Sequence, residues 1–225
     1  MDTLFLPTLA LHITAGLLAV LVGIVPIITR KGSRLHRLAG RVFVVLMATL
    51  LACAWLMTAI HFNAYFLALS ATASMTLFSG VRVLRRKRPD LRREDRARPL
   101  DWVFTLSVVG VGVWTLVLVV TGRTGATAPV AASLAYAALL YGGWDLWRFA
   151  RPTDWPFSPE LWTYEHLAKM MGAYGAVLAA FSGNFMTFLP TPWSQLWPSL
   201  LLQPLVIGWI ALMIVRKRSR RLVPA

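Results

Sequence analysis

The sequence predicts an all-α integral membrane protein: a bundle of seven transmembrane helices with the N-terminus outside and the C-terminus cytoplasmic. Three observations carry this reading. Of 225 residues, 57% are apolar and only 14% are charged, too few ionisable side chains to clothe a soluble domain of this size. Several uncharged runs reach about 20 residues, the length that crosses a hydrocarbon core of roughly 30 Å. The 23 Lys and Arg against nine Asp and Glu, a formal +14, fall mostly between those runs. No alternating strand pattern appears, and an open sheet edge cannot sit in lipid with its backbone groups unpaired.

The spans fall at roughly residues 4 to 29, 42 to 62, 64 to 84, 102 to 121, 128 to 149, 166 to 188 and 198 to 215. Helix breakers separate them: Gly32, Asn63, Pro89 and Pro99, Gly122 and Gly125, Pro152, Pro156 and Pro159, then Pro190, Pro192 and Pro198. The first run follows Asp2 rather than a basic cluster and is too long for a cleaved signal peptide. Residues 1–225 read as one transmembrane domain, with 216–225 a short basic cytoplasmic tail. No internal repeat marks an inverted-repeat transporter.

Orientation follows from the cations, because cytoplasmic loops retain Lys and Arg. With the N-terminus outside, 21 of the 23 lie on the cytoplasmic side, leaving Arg123 outside and Lys169 within the sixth span. Anionic headgroups are the partner such a distribution predicts. Nucleic acid is excluded, since the cations are spread over three loops and a tail and the dense run Arg85 to Arg98 has no interleaved aromatics for base stacking. The single cysteine, Cys53, rules out a disulfide framework or a Cys-rich cluster.

Ionisable groups at membrane depth are costly and mark functional candidates. Asp145 is the one carboxylate clearly inside a span, placed for an i,i+3 ion pair with Arg148. With no carboxylate at the midplane, proton- or sodium-coupled transport is disfavoured. The four histidines sort by depth. His12, about 12 Å below the outer end of the first helix at 1.5 Å per residue, and His61, at the outer end of the second, form an outer pair. His36, ahead of the second helix, and His166, opening the sixth, form an inner pair. Imidazoles paired from different helices near each face are what stacked b-type haems require for axial ligation and electron transfer across the membrane. The inner pair suits this better, because the outer two differ in depth by roughly 10 Å.

The small-residue stripes His12, Gly16, Ala19, Gly23 and Gly172, Ala176, Ala180, Gly183 mark close helix approach; the second makes the sixth helix central. Lys169, one turn after His166, is expected to snorkel to the inner headgroups, and Met170 to pack. Arg34 and Arg37 beside His36 form a cationic rim suited to haem propionates, a lipid phosphate or a quinone head group. His36, His166, Glu165 and Asp145 share the cytoplasmic end, but no short-spacing zinc motif is present.

Two segments carry a family resemblance. Lys31-Gly32-x-x-x-His36-Arg37-x-x-Gly40, running into the apolar stretch from Val42 with Met47 inside it, resembles a motif of the DUF2306-like family of bacterial multi-pass membrane proteins. His166-x-x-Lys169-Met170-x-x-Ala173-Tyr174, followed by Ala179-Ala180-Phe181 and Asn184, is similar to a helix of the same group. With His12, the likeness touches three helices and one loop; it implies a bacterial inner-membrane location and brings no activity with it. The histidine spacing is only loosely similar to cytochrome b561-type proteins, from which the chain departs in its seven spans and in a ligand candidate placed in a loop.

Three functional readings follow. In the first, the protein binds a redox cofactor, haem b above all, for transmembrane or membrane-quinone electron transfer. Its inner ligands, which are also the candidate metal ligands, are His36 and His166; His12 and His61 form an outer pair, and Arg37 and Lys169 attend the cofactor. In the second, a membrane enzyme acts on a lipid of the cytoplasmic leaflet, with His36, His166, Asp145 and Glu165 as metal or acid–base residues. In the third, the chain is a transporter or accessory subunit without chemistry.

Overall fold

The computed structural model describes residues 2–124, 127–153 and 159–222. Among the features named above, Gly125 and Pro156 lie outside the described residues, as do the side chains of Asp2 and, in the basic tail, of Arg218, Arg220 and Arg221. The described chain is all-helical. Seven α-helices follow in order: α1 (Asp2–Ile28), α2 (Arg34–Ile60), α3 (Ala64–Arg82), α4 (Pro99–Val120), α5 (Ala128–Ala150), α6 (Leu161–Phe185) and α7 (Trp193–Leu222). Short 3-10 turns at Val83–Arg85 and Arg93–Asp95 lie between α3 and α4.

Five of these helical segments are long and apolar enough to cross a membrane: Thr3–Ile28, Arg34–Ile60, Ala64–Arg85, Arg93–Val120 and Trp193–Lys217. The other two, α5 and α6, have the length but not the apolarity. They carry Asp145 and Arg148, and Glu165, His166 and Lys169, respectively.

Several boundaries differ from the sequence reading, each for a local reason. Helix α2 begins at Arg34 rather than near 42, because Ser33 caps it by accepting a 3.1 Å hydrogen bond from the His36 backbone N–H. Charge density suggested a loop, but arginine is a good helix former and Arg34, Arg37 and Arg41 fall on the exposed side. His36 therefore sits in the first turn of α2, not ahead of it. Helix α6 starts at Leu161, which moves His166 into its second turn. Helix α7 starts at Trp193, tolerates Pro198 and Pro204 inside it, and runs on to Leu222. The basic segment is thus mainly a helical extension, and Lys217 reaches back to an ion pair with Glu160.

The centre of the bundle is α3, where the sequence reading had put the sixth helix. Its spanning window is 61% buried against 11 to 28% for the other four spanning segments, and it packs on α2, α4, α5 and α6. Its buried residues are mostly Ala, Ser, Thr and Gly; such short side chains let several helices come close. Around it, α1 pairs with α2, α4 with α5, and α6 with α7. The main core joins Ala15, Ala19, Phe43, Met47, Leu77, Ala173 and Tyr174. Gly23 is where α1 meets α6: a Cβ there would come within 2.6 Å of the Tyr174 ring, and the Tyr174 hydroxyl donates to the Val20 carbonyl at 3.3 Å.

Candidate functional site

Two polar regions occupy opposite ends of the bundle. At the arginine-rich end, α5 and α6 bring their charges together across α3. Asp145 accepts from Lys169 Nζ at 2.5 Å and from the Ser79 hydroxyl, and Arg86 stands 3.9 Å away. Glu165 Oε1 accepts from Arg148 Nε and from the Trp144 indole N–H, both at 2.6 Å. Arg82 grips Asp101 through two bonds of 2.7 Å, a bidentate geometry that only guanidinium offers.

These groups are interior. Asp145 is 1% exposed and Lys169 2%, so Lys169 does not reach the headgroups as expected. Neither does Asp145 take Arg148 as its close ion-pair partner. Each helix carries an acid followed about one turn later by a base: Asp145 then Arg148, Glu165 then Lys169. The helices run antiparallel, as the levels of Tyr141 with Gly172, Asp145 with Lys169 and Arg148 with Glu165 show. Antiparallel packing sets the acid of one against the base of the other, so the pairs cross between helices rather than closing within them.

Not every polar atom here is satisfied. Arg86 Nε and Glu165 Oε2 are buried without a hydrogen-bond partner among the described residues. Both residues line a cavity of about 20 Å³, together with Asp145, Arg148, Phe149 and residues of the loop ahead of α4. That is room for one water, and a donor facing an acceptor suits a water that bonds both. The Arg86 guanidinium also lies 4.6 Å from the centroid of the Phe149 ring.

The inner histidines border this end. His36 Nδ1 is 3.1 Å from the Pro26 carbonyl and His166 Nδ1 is 2.9 Å from the Gly80 carbonyl. Arg37 turns back to the Gly32 carbonyl at 2.5 Å. Among the described residues, no group of three or more His, Cys, Asp or Glu is arranged to hold a metal ion.

At the N-terminal end the polar groups are few and the space is large. A cavity of about 710 Å³ is bounded by α1, α2, α3 and α6, with Gln195 of α7 at its edge, and both outer histidines line it. His12 lies deep, its Nδ1 3.0 Å from the Leu50 carbonyl of α2. His61 caps α2 at the mouth and packs edge-on against Phe5 at 5.2 Å. Seven residues separate Phe5 from His12, about 10 Å of helix, so the two imidazoles line one cavity at different levels. A carbonyl only accepts, so His12 Nδ1 carries the proton; in the neutral ring, Nε2 is the atom able to accept or ligate.

The sequence reading named Asp145, Glu165, Lys169 and the four histidines. It missed Ser79, Arg86 and Trp144, and it missed the cavity. No protein-family model, curated protein or solved structure matches this chain.

Proposed function

We propose that the chain is a seven-span inner-membrane protein, N-terminus outside, that holds a redox-active and largely apolar cofactor in the cavity at its N-terminal end. One observation carries the reading: about 710 Å³ of mainly apolar space beside an imidazole whose Nδ1 is committed to a backbone carbonyl. Tying one ring nitrogen to a carbonyl is how proteins orient a histidine whose other nitrogen serves as a ligand. The orientation rests on the cation distribution, and the crossing of α5 and α6 rests on the pairing of their charges.

Haem b fits the cavity in volume, with His12 Nε2 as ligand and its propionates turned to the open mouth, since no Lys or Arg is among the described residues that line the walls; bound there it would supply a one-electron couple. His61 sits too far up the cavity to share its iron. His36 and His166 have the same carbonyl-tied arrangement and remain the second place where haem ligation is proposed. The test is expression with ample haem, purification in detergent and a reduced-minus-oxidised spectrum, followed by organic extraction of the same sample. A Soret band lost in His12→Ala and kept in His36→Ala supports the cavity, whereas the reverse moves the site to the inner pair. A sample with neither haem nor an extractable redox-active organic molecule overturns the reading.

A second reading, a membrane enzyme acting on a lipid at the arginine-rich end, is favoured by the unpartnered Glu165 Oε2 beside a small cavity. Against it, Glu165 and Asp145 are each engaged by a cation at 2.6 Å or closer.

A further inference from the structure

We infer that the cavity takes a neutral, hydroxyl-bearing ring lipid of the hydroquinone class, its head at His12 and its tail leaving between α1 and α6 into the leaflet at the N-terminal end. This rests on the proposed redox-cofactor reading and narrows it.

The exit follows from how α1 meets α6. The contacts join Val20 and Gly23, in the arginine-rich half of α1, to Tyr174 at the middle of α6. Farther toward the N-terminal end, residues of both helices line the cavity instead. Ile13 and Leu17 of α1 border it while each is 39% exposed, and Phe185 of α6 does so while 53% exposed. An apolar side chain that faces both a cavity and the outside of a membrane bundle marks a route to acyl chains rather than to water.

The head group follows from the lining. Among the described residues, no Lys, Arg, Asp or Glu borders the cavity, so an ionic head such as a phosphate has nothing there to neutralise it, and an unpaired charge in such a site is costly. Deep in the cavity, His12 offers Nε2 as an acceptor, given that Nδ1 is bonded to Leu50. Nearer the mouth, Thr58 and Asn184 each donate to their own helix, to Ala54 and Ala180, at 2.8 and 2.7 Å. Asn63 caps α3 with its side-chain oxygen. An acceptor set among the apolar walls of the slot, with Gly16, Leu17 and Met47 beyond it, favours a ligand that can donate there, which a hydroquinone hydroxyl does and a quinone carbonyl does not.

The test uses the full chain in synthetic phosphatidylcholine nanodiscs and two probes of one shape: a short-tailed alkyl hydroquinone and its dimethyl ether, which lacks the donors. One neutral hydrogen bond contributes roughly 1 kcal/mol, so the hydroquinone is expected to bind about fivefold more tightly. His12→Phe is expected to bring the two within about twofold while the ether still binds. Equal affinities in the unaltered protein would overturn the hydroquinone assignment, and a haem spectrum in the same protein would leave the cofactor reading standing. Binding of neither probe, with no haem, sinks both. A diazirine on the tail is expected to label α1 near Ile13 and Leu17 or α6 near Phe185; labelling confined to Phe62–Phe66 would overturn the route.

Discussion

At the arginine-rich end, Asp145, Lys169, Glu165 and Arg148 are all buried and pair with one another between helices. At the other end, His12 and a few amides and hydroxyls border a cavity of about 710 Å³. The first region joins α5 to α6 over the small side chains of α3; the second keeps α1–α2 and α6 apart. In this molecule the concentration of charge marks where helices are fastened, and the room for a ligand lies where charge is absent. Formal charge alone points to the fastening, and only His12 and His61 point to the cavity.

The comparison breaks most readily at its charged end. Lys169→Met leaves Asp145 buried with only Ser79 and the more distant Arg86, and removing one partner of a buried ion pair costs about 3–5 kcal/mol. Replacing both, as in Asp145→Leu with Lys169→Leu, is expected to recover most of that loss, since a packed apolar pair is often as stable. Unfolding in detergent with increasing SDS measures both. A single-variant loss under about 1 kcal/mol would mean that the pair fastens nothing.

Two alanines one turn apart on α6 sharpen the contrast. Ala173 is fully buried in the core, so Ala173→Phe overpacks it and costs about 1–3 kcal/mol. Ala176 borders the cavity, so Ala176→Phe has space to fill and is expected within about 1 kcal/mol of the unaltered protein. Similar losses at both positions in the same SDS titration would argue against the cavity. The Phe at 176 should also weaken binding of both hydroquinone probes alike.

The smallest effect belongs to the loop ahead of α4. The Arg88 guanidinium beside Asp90 holds its carboxyl below the usual carboxylate range. A depressed folded-state value gives a stabilising contribution that is complete above the unfolded value of about 3.9 and lost as the pH falls through the folded one. Limited proteolysis of this loop should therefore be flat from pH 5 to 8 and rise only under acid. Asp90→Asn should remove the acid-dependent rise.

Much of the helical architecture was legible because each apolar run had to be long enough to cross and each break needed glycine, proline or charge. The start of α2 was not, since one cap at Ser33 outweighed three cations, Arg34, Arg37 and Arg41, read as loop. The crossed ion pairs were half legible. The acid-then-base order in two consecutive helices was present in Asp145, Arg148, Glu165 and Lys169, and antiparallel packing turns that order into two complementary contacts. Reading i,i+3 within one helix hid it. Ser79, Trp144 and Arg86 carry no local pattern, since each is placed by packing between helices far apart in sequence. His12 and His61 were the only sign of the cavity in the sequence reading, because its volume arises from divergence of helices rather than from a motif.

The crossing also bears on how the chain reaches its membrane. A lone Asp or Arg costs roughly 2.5–3.5 kcal/mol at the centre of a helix entering lipid and less toward its end; α5 holds Asp145 and Arg148 in its last two turns, and their closest ionic partners, Lys169 and Glu165, are synthesised later. In the proposed seven-span arrangement, α5 is a poor passenger until Glu165 and Lys169 emerge. Insertion of α5 is therefore expected to wait for α6, with Ser79 on the already placed α3 as the first foothold for Asp145.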